Sequence, residues 1–224
     1  TLFKLDYFGK PAFLSQSAQL YLETLIFAHQ KVYALTPSFR AEKSRTTRHL
    51  AEYWHLEGEA AFVDLEGIMD LEDGLVCAML HKAAKEVPQD LKVLGRDPNE
   101  LLAIKAPFER MTYDDAVEYI NSHGGNLEWG EDLGTNDERI LTEDRTQPLH
   151  VTHYPRDAKA FYMKTLDQRT VECNDLLAPE GYGEIIGSSQ REEDIDIIIE
   201  NLKRDGSDIV DYEWYLDLRR YGSV

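Results

Sequence analysis

The sequence predicts an α+β fold: an antiparallel β-sheet flanked by helices, with an α-rich insertion. Three observations predict it. Near the N-terminus two strand-like segments are joined by a polar loop, as in a hairpin with an extended tip. The middle of the chain reads as helix. Strand-like segments then return and are followed by two helices. Strands, helices and strands in blocks, without strict alternation, argue for an antiparallel sheet over a parallel one. At 224 residues the chain is long enough for a substantial core.

The elements follow in order. Phe13-Leu14 closes a short strand, and Ser15 or Ser17 can cap a helix running to about Gln30. Lys31 to Glu42 reads as a strand, Lys43 to His49 as a polar loop, and Glu52 to Val63 as the returning strand. Gly67 to Val87 carries Ile68, Leu71, Leu75, Met79 and Ala83 at helical spacing, which predicts a core-facing helix stopped by Pro88. Residues 89–147 read as the α-rich inserted element. Within it Thr112 and Asp115 resemble a cap for a helix through Ile120, ended by Gly124-Gly125. Strands are expected at Leu149–Tyr154, Ala160–Lys164, Val171–Leu177 and Gly183–Arg191. Helices are expected at Glu192–Lys203 and Tyr212–Arg220.

Composition narrows the function. A formal charge of −18 disfavours general nucleic-acid coating. Against that background Arg40, Lys43, Arg45 and Arg48, with His49, crowd into ten residues and point to a local anion site. No apolar run reaches the roughly 20 residues that a membrane helix needs. The opening TLFKLDYFGK lacks a signal-peptide profile. Cys77 and Cys173 lie far apart with no metal-ligand spacing, so a reducing, cytoplasmic setting is expected.

Strand side chains alternate faces, so Ser38, Arg40 and Glu42 share a face of the first strand, and Tyr53, His55, Glu57 and Glu59 share a face of the second, the two sets converging on one side. A guanidinium, an aromatic plane and carboxylates on one side of a hairpin suit a nucleotide: arginine grips phosphate in bidentate fashion and a ring supports a base. Cross-strand ion pairs on a solvated face are the plainer alternative. The 21-residue run FRAEKSRTTRHLAEYWHLEGE resembles motif 2 of class II aminoacyl-tRNA synthetases, of the aspartate/asparagine/lysine subclass. The resemblance implies a class II synthetase fold. It implies that Arg40 holds the α-phosphate of ATP, that Glu42 lies in the ATP site, and that Arg48 and His49 contact the outer phosphates. Tyr53 stands where the family usually has phenylalanine and would stack on adenine. Glu57 would line the amino-acid end, and the 43–47 tip would face the acceptor end of tRNA.

The segment QSAQLYLE resembles the family's amino-acid pocket, with Ser17, Gln19 and Glu23 in it. Gln19 and Glu23 lie four apart, on one helix face. Aspartyl enzymes typically carry a lysine where this chain has Leu22, whereas LYLE is similar to the asparaginyl branch. A carboxylate at Glu23 would accept from an amide and repel a substrate carboxylate. The run from Asp175 to Glu192 resembles the GEIxGGSQRE strand of asparaginyl enzymes, with Ser188 in place of a usual glycine, and Gly187 where aspartyl enzymes usually have serine. By that resemblance Asp175 and Glu184 bind Mg²⁺ through hard oxygen ligands, and Arg191 binds the side-chain carbonyl of the amino acid. Lys159 and Tyr162 fall in a stretch similar to the family's KxFYM strand, and by that resemblance both would approach the amino-acid pocket. His150 and His153 fit no ligand pattern and read as surface or hydrogen-bonded structural residues.

The resemblance covers essentially the whole chain, from after motif 1 to just before motif 3, without an anticodon-binding barrel; a fragment of a longer, homodimeric protein is expected. It implies an asparagine–tRNA ligase that uses ATP, asparagine and tRNA(Asn). Two rivals remain at this level: a related asparagine synthetase that forms aspartyl-adenylate for attack by ammonia, and an inactive synthetase-like binding protein.

Overall fold

A computed structural model describes residues 2–43 and 50–222. The chain divides into two compact units, residues 1–62 with 210–224, and residues 63–209.

The first unit opens with a hairpin of β1 (Lys4–Tyr7) and β2 (Lys10–Phe13), of which only the end of β2 was expected. Helix α1 (Gln19–His29) follows, then β3 (Lys31–Phe39) and β4 (Glu52–Ala60), paired antiparallel as predicted. The strands stop short of the predicted ends, so Glu42 lies exposed beyond β3; pairing continues one step, with the Arg40 N–H donating to the Ala51 carbonyl at 3.0 Å. The unit closes with a 3-10 turn and α8 (Glu213–Arg220). Its buried side chains include Leu22 and Ile26 of α1 and Tyr215 and Leu216 of α8.

The second unit begins with α2 (Leu65–Glu86), whose first turn is capped by the Asp64 carboxylate accepting from the Gly67 N–H at 2.9 Å. Short helices α3 (Pro88–Val93) and α4 (Pro98–Leu102), strand β5 (Glu109–Thr112), and helices α5 (Tyr113–Ser122) and α6 (Thr135–Thr142) follow. Then come β6 (Leu149–Thr152), β7 (Cys173–Ala178), β8 (Gly183–Ser189) and α7 (Ile195–Arg204). The sheet order is β5-β6-β7-β8. Only the β5–β6 pair is parallel.

Several expectations change here. The inward face of α2 is Leu65, Met69, Glu72, Asp73, Val76 and Ala84, while Leu71 and Met79 are exposed. The helix is turned from the predicted stripe because its two acids find buried partners, described below. Residues 160–164 form no strand: Met163 and Thr165 make isolated bridges to Arg191 and Val171, after a 3-10 turn at Arg156–Ala158. The 89–147 segment is helix-rich as expected, but it also builds the main core. Its Tyr113, Ala116, Ile120, Leu127 and Leu141 pack with Leu149, Val151, Tyr154, Val171, Cys173 and Leu177. Both cysteines are free thiols. Among the described residues no helix is long and apolar enough to cross a membrane.

Candidate active site

In the first unit the hairpin register sets the predicted face. Ser38 pairs with Tyr53, Thr36 with His55, Ala34 with Glu57 and Val32 with Glu59. Arg40 lies two residues past Ser38 and so returns to this face. Its guanidinium sits 5.4 Å from the centre of the Tyr53 ring, in cation–π range. Arg48 and His49, and with them the tip of the loop, lie outside the described residues.

Glu57 reaches from β4 to the start of α1. One of its oxygens accepts from the Ser17 hydroxyl and the other from the Ala18 N–H at 2.9 Å. Ala18 precedes the helix and has no capping side chain of its own, so a strand carboxylate serves the helix N-terminus, where negative charge is favoured. The predicted serine cap is partly realised: the Ser17 hydroxyl accepts from the Gln19 N–H at 3.0 Å. His55, which the sequence placed on the face without a role, stands between Ser38 at 3.3 Å and the Glu57 carboxylate at 3.5 Å.

Gln19 and Glu23 share a face of α1 as predicted, with the Gln19 amide nitrogen donating to a Glu23 oxygen at 3.2 Å. Glu23 is buried. Its other oxygen accepts from the Tyr215 hydroxyl at 2.6 Å and from Arg219 at 3.2 Å, both on α8. Leu22 is a buried apolar side chain.

In the second unit Asp175 on β7 pairs with Gly187 on β8, and a bulge at Leu176/Leu177 brings Glu184 into the same group. A methyl group built on Gly187 would meet a Glu184 oxygen at 3.0 Å and an Asp175 oxygen at 3.4 Å. The two carboxylates therefore flank one empty side-chain position. Lys159 bridges Asp175 at 2.8 Å and Asp132 at 3.1 Å, with its ammonium 3.9 Å from the Tyr154 ring centre. Asp132 and Tyr154 also belong to this cluster and were not singled out from the sequence: Asp132 is distant from Lys159 in the chain, and Tyr154, five residues before it, carries no ligand-like pattern.

The electrostatics follow from burial and crowding of like charge. The Glu184 carboxyl is pushed up to about 7, first by burial and then by the charge of Asp175, although the residue keeps an exposed edge. Asp175 is also raised, by burial, against the pull of Lys159. Burial alone would lower the Lys159 ammonium; the Asp175 and Asp132 charges outweigh it and hold it above its ordinary value. Two carboxylates raised by burial, Glu184 also by the charge of Asp175, with Lys159 paired to only one of them, leave room for a divalent cation. Two carboxylates with an open side are the kind of set that Mg²⁺ uses when its remaining ligands are waters and substrate phosphates. Among the described residues no group of three or more His, Cys, Asp or Glu side chains is placed to hold a metal ion.

Arg191, just past β8, donates to the Ser189 hydroxyl at 2.7 Å and lies 5.1 Å from the Tyr162 ring centre. The structure thus brings Tyr162 and Arg191 together, and Lys159, Asp175 and Glu184 together. Ser188 points to the other face of β8, where its hydroxyl donates to Asn174 at 2.6 Å. The half-exposed His153 lies 3.4 Å from Glu172.

The first unit thus presents an arginine and an aromatic ring on a strand hairpin, and the second unit presents two crowded carboxylates on an antiparallel strand pair. The chain belongs to the class II tRNA synthetase family (D, K and N), whose model matches residues 1–224. It is 54% identical over 226 aligned residues to the asparagine–tRNA ligase of Pyrococcus horikoshii, covering 100% of this chain and 52% of the relative. It is 47% identical to that of Thermoplasma acidophilum, with 100% and 53% covered. The crystal structure of the Pyrococcus horikoshii asparaginyl-tRNA synthetase complexed with asparaginyl-adenylate superimposes with a TM-score of 0.96, over 100% of this chain and 52% of that one. An aspartyl-tRNA synthetase from Entamoeba histolytica reaches 0.82 at 27% identity, over 94% of this chain and 45% of that one. The chain spans about half the length of the curated relatives it matches.

Proposed function

We propose that this chain is catalytic-domain sequence of an asparagine–tRNA ligase. The observation that carries the reading is the 54% identity, across the whole chain, to asparagine–tRNA ligases. Leu22 adds to it, because a buried apolar side chain stands where an aspartate substrate would call for a cation.

In the reaction a carboxylate oxygen of asparagine attacks the α-phosphorus of ATP. The bond to the β-phosphate oxygen breaks, pyrophosphate leaves, and asparaginyl-adenylate forms; the asparaginyl group then passes to the 3′ end of tRNA(Asn). The attacking carboxylate is already ionised, so no general base is required, and catalysis is positioning plus charge neutralisation. Arg40 neutralises the α-phosphate, Arg48 and His49 hold the outer phosphates, and Tyr53 supports the base, with Glu42 nearby. Asp175 and Glu184 would hold Mg²⁺, which when bound offsets charge on the phosphates, and Lys159 keeps Asp175 in place. Arg191 donates to the side-chain carbonyl of asparagine beside Tyr162. Ser17, Gln19, Glu23 and Glu57 would also contact the amino acid. The acting protein is a homodimer.

The test is ATP–pyrophosphate exchange by the intact protein with asparagine or aspartate. Asparagine is expected to drive exchange and aspartate to fail. Exchange driven equally by aspartate, with ammonia giving free asparagine, would replace this reading with that of an asparagine-forming synthetase. No exchange with either amino acid would leave a binding protein.

A further inference from the structure

Two one-turn pairs meet inside the first unit. Gln19 and Glu23 lie four apart on α1, and Tyr215 and Arg219 lie four apart on α8. Arg219 stacks over the Tyr215 ring at 4.5 Å and donates to its hydroxyl at 2.9 Å. That hydroxyl donates to Glu23 at 2.6 Å, and Arg219 reaches the same oxygen at 3.2 Å. The side chains of Arg219 and Glu23 are only 4% and 3% exposed, so the pair is withdrawn from water. The second Glu23 oxygen faces the Gln19 amide at 3.2 Å.

A carboxylate can only accept hydrogen bonds, so it fixes which end of a neighbouring amide faces it. The Gln19 NH₂ must turn toward Glu23, and its carbonyl oxygen is then presented on the opposite side. We propose that Tyr215 and Arg219 are positioning residues for the amino acid: they hold the Glu23 carboxylate in place, and Glu23 sets the Gln19 carbonyl to accept from an N–H donor of the substrate. The inference rests on the reading of Gln19 as an amino-acid-binding residue. It also changes the part given to Glu23. With its charge matched by buried Arg219, Glu23 acts on the substrate through Gln19 and not by repelling a carboxylate at long range.

The experiment measures asparagine and ATP KM and kcat in exchange by the intact protein. Tyr215→Phe removes one hydroxyl and little volume. It is expected to raise the asparagine KM about 3- to 10-fold, the size of one ordinary net hydrogen bond, because Arg219 still holds the carboxylate, with the ATP KM unmoved. Arg219→Lys keeps the charge and is expected to fall between wild type and Arg219→Met. Because Arg219→Met strands a buried carboxylate and can unfold the unit, a double variant accompanies it, Arg219→Met with Glu23→Gln, which removes both charges together. Its thermal midpoint is expected to recover while the asparagine KM stays high, since a glutamine at 23 no longer dictates the Gln19 orientation. An unchanged asparagine KM in Tyr215→Phe overturns the proposal, and so does a double variant that recovers KM together with stability. Wild-type exchange driven by asparagine checks the underlying function separately; without it both readings fall.

Discussion

At Gly187 a single missing side chain decides what two carboxylates can do. A Cβ there would stand 3.0 Å from Glu184 and 3.4 Å from Asp175, inside or at the edge of ordinary contact. The atoms it meets are the ends of side chains, so the backbone has no reason to move, but the carboxylates must. Gly187→Ala is therefore expected to leave the thermal midpoint almost unchanged while raising the Mg²⁺ concentration for half-maximal exchange several-fold. An unaltered Mg²⁺ requirement would show that the two acids do not share a cation. Arg40 is a second residue-scale test. It is exposed and held only loosely over Tyr53, so Arg40→Ala is expected to spare the fold. Loss of a preorganised charge on the reacting phosphate should cost about 2–4 kcal/mol of transition-state stabilisation, roughly 30- to 10³-fold in exchange rate. A rate within a few-fold of wild type would remove Arg40 from the catalytic assignment.

Helix α2 shows how an element can obey helical periodicity and still face an unexpected way. Glu72 and Asp73 point inward because β6 and β7 supply partners for them. His150 Nε2 lies 2.7 Å from Asp73, and the Asn174 amide donates to Glu72 at 2.9 Å and faces His150 Nδ1 at 3.0 Å. Asp73 also accepts from the Phe108 N–H at 2.9 Å. Burial raises the Glu72 carboxyl above its ordinary value. Hydrogen bonds from Asn174 and Ser188 and the nearby His150 oppose the rise, and Asp73 adds to it. A carboxyl with a raised folded value binds its proton more tightly in the folded state. Its contribution to stability is therefore full below the unfolded value of about 4.5 and is lost as pH rises through the folded one. Glu72→Gln is expected to shrink the fall in thermal midpoint between pH 5 and pH 8; an identical pH slope in both proteins would assign that slope to other groups.

The same helix marks the limit of reading from the chain. Periodicity located it, together with the β3–β4 hairpin and most later strands, because those signals are local. Which face turned inward depended on His150 and Asn174, far along the sequence, and a buried acid looks like a surface acid until its partner is known. Strand β5 was missed because four residues inside a helical context carry too little pattern. Residues 160–164 were read as strand from their aromatics, yet they only bridge Arg191 and do not join a ladder. At the site, motif residues were legible, whereas Asp132, Tyr154, Tyr215 and Arg219 were not, since only the fold brings them to Lys159 and Glu23.

On the scale of the whole molecule the net charge of −18 sets a problem for any polyanionic partner. The field of the protein repels RNA on average, and attraction must come from places where cations outnumber acids. The run from Arg40 to His49 is such a place, with Arg40, Lys43, Arg45 and Arg48 interrupted only by Glu42. Two of these cations, Lys43 and Arg45, have no part in the nucleotide assignment and belong to the stretch proposed to face the acceptor end of tRNA. Phosphate contacts of this kind release counterions, so binding weakens with salt at a slope set by the number of charges engaged, about 0.7 to 0.9 per contact. Replacing Lys43 and Arg45 together by alanine is expected to raise the tRNA KM, and to flatten the dependence of log KM on log salt by about 1.4 to 1.8 if both make contact. The loss should fall on transfer to tRNA far more heavily than on adenylate formation. Steady-state aminoacylation across a salt series, read beside ATP–pyrophosphate exchange, measures both. A parallel drop in exchange and transfer, with no change in salt slope, would mean that these cations serve the nucleotide and that the tRNA contact lies elsewhere.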